Sequence, residues 1–422
     1  MKISFFITII PVIMLSTHCS PLGNKAITSQ AARSNKLVSL LESHPQYFDS
    51  LLRSKKDRNI QIIYTQIDRT STGSAQFIDY YFNVANDQYF YPASTVKFPI
   101  AVLALQRLRE LNVAGLDMNS TMLTDAIDEE MPGASVDSTA SEGKPSIAHY
   151  IKKILLVSDN DAFNRLYEFL GQEYINDQLH RMGYKEAQIL HRLSVSLTEQ
   201  QHRHTNPVKF YDSTGKLLYE KPAQVSGMVY SLRNTKLGTG FMRGNVLVNE
   251  PFDFSKKNRL PLPDLHHMIR SVMFPDDVPP GQRFKLSESD YVFLRQYMSM
   301  LPGESKSPLY NASGYRDNYV KYFMYGNDSV SMRKGLRTFN KTGTAYGFLL
   351  DASYIIDHDS GIEFMVSAVI SCNSDGIYND DKYEYDSVGY PFFKHLGQVI
   401  YEYELTRKKA RGNRQEARGK RQ

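Results

Sequence analysis

Apolar residues recur at helical spacing in several separated stretches of the chain. Residues 98–105 are almost entirely apolar, and Ile147–Val157 is an apolar run preceded by Ser146, a residue type that favours the N-cap of a helix. The same spacing predicts further helices at 172–182, 263–272, 287–301 and 387–405. Helices are therefore expected through the middle of the chain and near its end.

Strand-like runs lie near both ends of the chain. Residues 352–356 and 364–370 are rich in β-branched and aromatic residues and are separated by a turn-like segment. Two runs of similar character occupy 60–67 and 76–84. Strands at both ends with helices between them predict an α/β fold.

Composition narrows the class of protein only slightly. The chain has 422 residues, 41% hydrophobic and 23% charged, which is ordinary for a globular protein. The formal net charge of +5 is concentrated in the segment 406–422, so the rest of the chain is slightly acidic. No basic folded face is indicated, and nucleic acid is not an expected partner.

The N-terminus resembles an export signal. Lys2 is followed by an apolar run over 3–15, too short to span a bilayer, and then by Cys19. A cysteine directly after such a run is similar to a bacterial lipoprotein cleavage site, although His18 departs from the usual small residue. We therefore expect residues 1–19 to be an export signal with Cys19 lipidated and attached to a membrane, in preference to simple secretion.

The remaining chain divides into three parts. A linker is predicted at 20–35, one folded domain at 36–405 and a basic, disordered tail at 406–422. The tail is expected to be a solvated end, with attraction to anionic lipid or wall polymer as the alternative. Only Cys372 would lie in the folded domain, so no intramolecular disulfide is expected. The protein is predicted to be exported, periplasmic or at the outer surface, and monomeric.

One of four Ser-x-x-Lys sequences stands in a distinctive context. The sequence occurs at Ser94, Ser141, Ser213 and Ser331. Ser94 alone is preceded by an aromatic approach and followed by an amphipathic helical pattern, whereas the other three lie among glycine and charged residues. Ser94 is therefore the candidate nucleophile.

Lys97 lies three residues after Ser94, which places its amine and the hydroxyl on one face of a helix. An apolar wall around such an amine would disfavour its charged form and lower its pKa towards neutrality. Lys97 is then expected to accept the proton of Ser94 as the general base.

Two further triplets follow in the chain, and each occurs once. They are Ser158-Asp159-Asn160, at the end of the apolar run 147–157, and Lys341-Thr342-Gly343, before the strand-like runs near the C-terminus. The three motifs in this order resemble those of class A β-lactamases and penicillin-binding proteins, over roughly residues 36 to 405. The resemblance implies the three-layer β-lactamase/transpeptidase-like α/β fold. In that fold an antiparallel sheet, built here from both ends of the chain, is flanked by helices, and a helical region is inserted.

The resemblance also implies roles for the motif residues. Ser158 would pass a proton to the leaving nitrogen, and Asn160 would bind the acyl-amide side chain of the substrate. Lys341, with Thr342, would supply charge and hydrogen bonding for a substrate carboxylate, and Gly343 would allow a close approach of substrate to the backbone. The backbone N–H groups of Ser94 and Thr344 would form the oxyanion hole.

One loop departs from the class A pattern. That pattern is Arg-x-Glu-x-x-Leu-Asn, and the chain keeps Arg192 and Leu197 but has Ser194 in place of the glutamate and Thr198 in place of the asparagine. The glutamate activates the deacylating water in class A enzymes, and a serine hydroxyl is not a base near neutral pH.

Two other features of this loop follow from the same comparison. The aspartate that usually pairs with the loop arginine is replaced by Arg203. Glu199 is the nearest carboxylate, and a differently folded loop would make it a possible deacylation base.

A long segment separates the second and third motifs. Residues 208–337 are longer than the corresponding part of compact class A enzymes and include a tyrosine-rich stretch over 315–325. These tyrosines either line an extended cleft or pack as an extra layer, and packing is favoured because tyrosine is usually partly buried.

The sequence therefore predicts an exported serine hydrolase that acts on β-lactam amide bonds through a Ser94 acyl-enzyme with slow deacylation. Two alternatives remain open: a penicillin-binding D,D-peptidase-like enzyme acting on cell-wall peptides, and a sensor that binds β-lactams or wall peptides without turnover. No cofactor is expected. Neither is a metal, because the histidines, at positions such as His202, His204, His266 and His267, lack the spacing of a ligand set.

Overall fold

A computed structural model of the chain describes residues 36–311 and 314–419. The predicted export signal, its lipidation site Cys19 and the linker 20–35 lie outside the described residues. Residues 36–42 are helical and begin the described part of the chain.

A five-stranded sheet combines strands from both ends of the chain. Its strand order is β3-β4-β5-β1-β2, and every neighbouring pair is antiparallel, as the resemblance implied. The bounds are β1 Gln61–Arg69, β2 Ala75–Phe82, β3 Leu336–Ala345, β4 Phe348–Asp357 and β5 Ile362–Ser371. Strands β5 and β1 are neighbours and join the two ends of the chain, with Gln61 opposite Val369.

Helices cover the sheet, and several of the predicted ones match their observed bounds within two residues. The helices are α1 Pro45–Arg53, α2 Lys97–Leu111, α3 Ile147–Val157, α4 Asn160–Leu170, α5 Gln172–Arg181, α6 Glu199–Arg203, α7 Leu262–Met273, α8 Glu288–Ser299 and α9 Tyr390–Gly419.

Two apolar clusters give the molecule its three layers. One cluster packs α2, α3, α4 and α7 against one face of the sheet, and Phe98, Ile100 and Leu103 of α2 are completely buried in it. The other cluster packs α1 and α9 against the opposite face, with Phe393 and Ile400 of α9 fully buried. Helix α2 is apolar on nearly every side because other helices surround it.

The segment 208–337 combines predicted and unpredicted structure. Helices α7 and α8 confirm the two helices expected there.

Short strands were not predicted, because two to five residues carry too little periodicity to be recognised. In the part of the chain that the structure describes, the short strands are Thr121–Thr124, His204–Thr205, Val208–Tyr211, Leu217–Lys221, Gln224–Val225, Lys236–Leu237, Gly240–Arg243, Val246–Val248, Phe252–Asp253 and Ile377–Tyr378.

The predicted disorder of the tail 406–422 requires correction. Helix α9 continues to Gly419, so most of that segment is helical. Arg407 explains the first turn of this extension, because it forms ion pairs with Asp68 at 2.5 Å and with Glu404 at 2.5 Å. Composition alone predicts that these basic residues lie in solvent, but one of them, Arg407, fixes α9 to the fold.

Three further observations concern the described residues alone. No helix among them is both long and apolar enough to cross a membrane. No group of three or more histidine, cysteine or acidic side chains within 36–311 and 314–419 is arranged to hold a metal ion. Cys372 is a buried free thiol.

Candidate active site

Ser94 lies in a 3₁₀ turn, Ala93–Val96, that runs directly into α2. Ala93 has a φ of 47°, a left-handed conformation that costs energy for a residue with a Cβ and that recurs at functional sites. The turn packs against β3, where a Cβ on Gly343 would lie only 2.9 Å from the carbonyl oxygen of Pro92. Glycine at 343 therefore allows the third motif to approach the first.

The Lys97 amine contacts polar groups of both of the first two motifs. Its Nζ donates to Ser94 Oγ at 2.9 Å and to Asn160 Oδ1 at 2.6 Å, and it lies 3.3 Å from Ser158 Oγ. It also contacts the Ser158 carbonyl oxygen. Burial lowers the pKa of Lys97 to about 7, with the charge of Asp159 opposing the shift.

Ser158 joins the second motif to the third. It caps the C-terminus of α3 in a left-handed conformation with a φ of 59°, which turns the chain sharply into α4. Lys341 Nζ donates to Ser158 Oγ at 2.9 Å. Burial lowers the pKa of Lys341, and the nearby Lys97 lowers it further. The hydroxyl of Ser158 therefore lies between two buried amines, each with a lowered pKa.

Helix α4 presents three polar side chains to the loop that contains Ser194. Asn160 Nδ2 donates to Ser194 Oγ at 2.8 Å. One turn later, Asn164 exchanges two hydrogen bonds with the backbone of Leu193, at 2.9 and 3.0 Å. One turn further along, Glu168 pairs with Arg192. Residues 160, 164 and 168 form one stripe of the helix, which fixes the loop beside the site.

Arg192 has an acidic partner that sequence comparison did not find. Its guanidinium lies 2.5 Å from Glu168, both side chains are about 95% buried, and Glu168 also accepts from the backbone N–H of Asn206 at 2.5 Å. The loop arginine is thus paired from α4 and not from the loop itself. A polar residue every fourth position in the otherwise amphipathic α4 was the available sequence signal.

The loop places Ser194, and not Glu199, beside the motifs. Glu199 begins α6, where its carboxylate lies 2.8 Å from Lys256 and accepts from the Tyr230 hydroxyl at 2.7 Å. These hydrogen bonds, that of Lys256 first, lower the pKa of Glu199 to about 2. Its carboxylate is therefore engaged by Lys256, Tyr230 and Arg203, which argues against the possible role as deacylation base.

Residues 341–344 lie at the edge of the sheet, in strand β3. Side chains alternate along a strand, so Thr342 and Thr344 share one face, and Lys341 and Gly343 share the other. The Tyr322 hydroxyl lies 2.9 Å from Thr344 Oγ1. Sequence analysis placed Tyr322 only in a tyrosine-rich stretch and did not connect it with the site.

The predicted set is brought together in one place, with Glu199 as the exception. Ser94, Lys97, Ser158 and Lys341 form a continuous chain of hydrogen bonds, and Asn160 joins it from α4. Such a chain holds a hydroxyl nucleophile next to an amine of near-neutral pKa and continues to a second hydroxyl. The arrangement can move a proton from one side of a bound substrate to the other.

A comparison with family profiles found a match over part of the chain. Residues 46–247 match the β-lactamase enzyme family, a range slightly under half of the chain that contains Ser94, Lys97, Ser158 and Asn160. This part of the chain is therefore similar to the β-lactamase enzyme family. The match ends before Lys341, which the fold brings to the same site.

Solved structures similar to this chain were also found. PBP-A is 17% identical with a TM-score of 0.46, over 87% of this chain and 96% of that protein. A β-lactamase from Desulfarculus baarsii is 13% identical with a TM-score of 0.43, over 89% and 97% of the two chains. An ancestral class A β-lactamase is 14% identical with a TM-score of 0.45, over 88% and 99%. The curated proteins gave no match.

Proposed function

We propose that this serine hydrolase attacks β-lactam amide bonds with Ser94 and forms a covalent acyl-enzyme. The observation that carries the proposal is the hydrogen bond of 2.9 Å between Lys97 and Ser94, with the pKa of Lys97 lowered to about 7. An amine with that pKa is substantially neutral at physiological pH and can take the serine proton. Oxygen Oγ of Ser94 then bonds to the carbonyl carbon of the substrate as the carbon–nitrogen bond breaks.

The other motif residues have complementary proposed roles. Ser158 donates a proton to the leaving nitrogen and is resupplied through Lys97 or Lys341, which both contact its hydroxyl. Asn160 binds the acyl-amide group of the substrate. Lys341, Thr342 and Thr344 bind its carboxylate, and the backbone N–H groups of Ser94 and Thr344 stabilise the developing oxyanion.

Labelling with a fluorescent penicillin tests the acylation. We expect the wild-type protein to become covalently labelled and Ser94→Ala to lose all labelling. Ser141→Ala is the matched control, because Ser141 begins another Ser-x-x-Lys sequence and lies in a separate short turn, Ser141–Gly143. Absence of wild-type labelling across several β-lactams would remove Ser94 as a penicillin-reactive nucleophile, and loss of labelling in Ser141→Ala would show that the assay does not report Ser94.

Deacylation is proposed to be slow. The hydroxyl of Ser194 accepts from Asn160 where a carboxylate would be needed to activate water, and Glu199 has a pKa of about 2 and other partners. A carboxylate with so low a pKa is a weak base. General-base assistance is typically worth about 10² to 10⁴ in rate, and that factor is what the acyl-enzyme lacks for hydrolysis.

The same observation favours a second candidate, a penicillin-binding D,D-peptidase-like enzyme. Such an enzyme would also be acylated by penicillin but would act on wall peptides. Release of D-alanine from an acyl-D-alanyl-D-alanine peptide, lost in Ser94→Ala, would support the peptidase. A protein that is acylated by penicillin and releases no D-alanine would not be a peptidase. Hydrolysis of its acyl-enzyme would then support action on β-lactams, and a permanent acyl-enzyme would support the sensor.

A further inference from the structure

Tyr322, in the long segment between the second and third motifs, supports strand β3 from outside the known motifs. Its hydroxyl lies 2.9 Å from Thr344 Oγ1, and its backbone N–H donates to Asp351 Oδ2 of β4 at 3.0 Å. The ring packs edge-on against Tyr390 and Phe393 of α9, with centroids 5.1 and 6.0 Å apart. Sheet and C-terminal helix together fix the ring.

The residue before Tyr322, Lys321, fixes this segment to the same strand, β3. Lys321 is fully buried and donates to the carbonyl oxygens of Met298 and Thr338, at 2.8 and 3.0 Å, and to Asn340 Oδ1 at 3.0 Å. Asn340, next to Lys341, returns a hydrogen bond of 2.8 Å to the carbonyl of Val320. The Lys321 amine therefore holds the segment to β3 with two of its hydrogen bonds and to α8 with the third.

Either hydroxyl of the Tyr322–Thr344 pair can donate, and only donation by Tyr322 leaves the Thr344 proton for a ligand. Burial raises the pKa of Tyr322, so its hydroxyl stays protonated and needs an acceptor. A threonine hydroxyl has one proton and can accept as well as donate. When Thr344 Oγ1 accepts from Tyr322, its own proton is free to point away from the ring, towards an acceptor on a bound ligand.

We infer that Tyr322 is a positioning residue for carboxylate recognition, which orients the Thr344 hydroxyl so that it donates to a substrate carboxylate bound along β3. The inference rests on the proposed function, because it assumes that substrate binds beside Lys341, Thr342 and Thr344. The long segment then contributes to substrate selection. Tyr322 increases the acylation rate of substrates with a free carboxylate and leaves that of neutral analogues unchanged.

The test compares benzylpenicillin with its methyl ester as acylating agents, by second-order acylation rate constants. Tyr322→Phe keeps the ring and removes the hydroxyl, and we expect it to slow the acid about fivefold, the worth of one hydrogen bond, while it changes the ester less than about twofold. Thr344→Val is expected to give the same selective loss. The double variant should lose no more than either single variant, because the two hydroxyls act as one unit.

Tyr291→Phe is the matched control, since the Tyr291 hydroxyl is also buried and donates to a backbone oxygen, that of Phe284, at 2.9 Å. We expect this control to leave both rate constants unchanged. Equal slowing of acid and ester in Tyr322→Phe, or independent losses in the double variant, would overturn the inference. If the wild type reacts with neither compound, the proposed function fails and not the role of Tyr322.

Discussion

At the scale of single residues, the environment of Lys97 determines what Ser94 can do. Lys97 is completely buried, and its pKa is lowered to about 7 from an ordinary value near 10.5 because burial disfavours the ammonium form. The base is the neutral amine, so the acylation rate should rise with pH through about 7 and level off above it. Lys97→Arg keeps the positive charge but cannot be neutral, and we expect it to lose at least about 10²-fold in acylation rate at every pH. A wild-type rate that is flat from pH 5.5 to 8.5, measured by stopped-flow, would contradict Lys97 as the base.

At the scale of elements, α4 and the loop over 190–206 depend on the buried pair of Glu168 and Arg192. Removing one partner leaves an uncompensated buried charge, so Glu168→Ala should lower the free energy of unfolding by about 3 to 5 kcal/mol and make the loop more susceptible to proteolysis. Asp177→Ala is the control, because Asp177 and Arg181 form an exposed pair within α5, and its loss should cost less than about 1 kcal/mol. Denaturant unfolding measures both. Equal costs for the two variants would mean that the Glu168–Arg192 pair does not stabilise the loop.

Some features of these elements are predictable from sequence patterns, and others are not. Long runs such as Ile147–Val157 and the strands after Lys341 were predicted because their apolar periodicity is set by the core that they face. The meeting of Ser94, Ser158 and Lys341 came from recognised motifs and not from periodicity. The partner of Arg192 was missed because it lies on α4, 24 positions earlier in the chain, and the contact with Tyr322 was missed because an aromatic residue in a loop gives no signal of the strand it supports.

At the scale of the whole molecule, the C-terminal helix closes the fold against the first strand. The Tyr64 hydroxyl contacts Glu404, and Glu404 and Asp68 both pair with Arg407, so β1 and α9 share one buried polar cluster. We expect slow hydrogen exchange along α9 as far as Arg411, which also pairs with Asp68, and faster exchange beyond it. Arg407→Ala should increase exchange in both α9 and β1, whereas Lys409→Ala, at an exposed position, should not. Uniformly fast exchange after residue 405 would restore the prediction of a disordered tail.

We propose that Ser94 forms an acyl-enzyme that persists because no base at position 194 activates water. Intact-mass spectrometry after brief exposure to benzylpenicillin, followed by removal of free drug, measures the adduct and its lifetime together. We expect complete addition of one penicillin mass, no adduct in Ser94→Ala, and decay about 10² to 10⁴ times slower than base-assisted hydrolysis would give. An adduct too short-lived to observe, with rapid and burst-free turnover that Glu199→Gln abolishes, would contradict it and would make Glu199 the base.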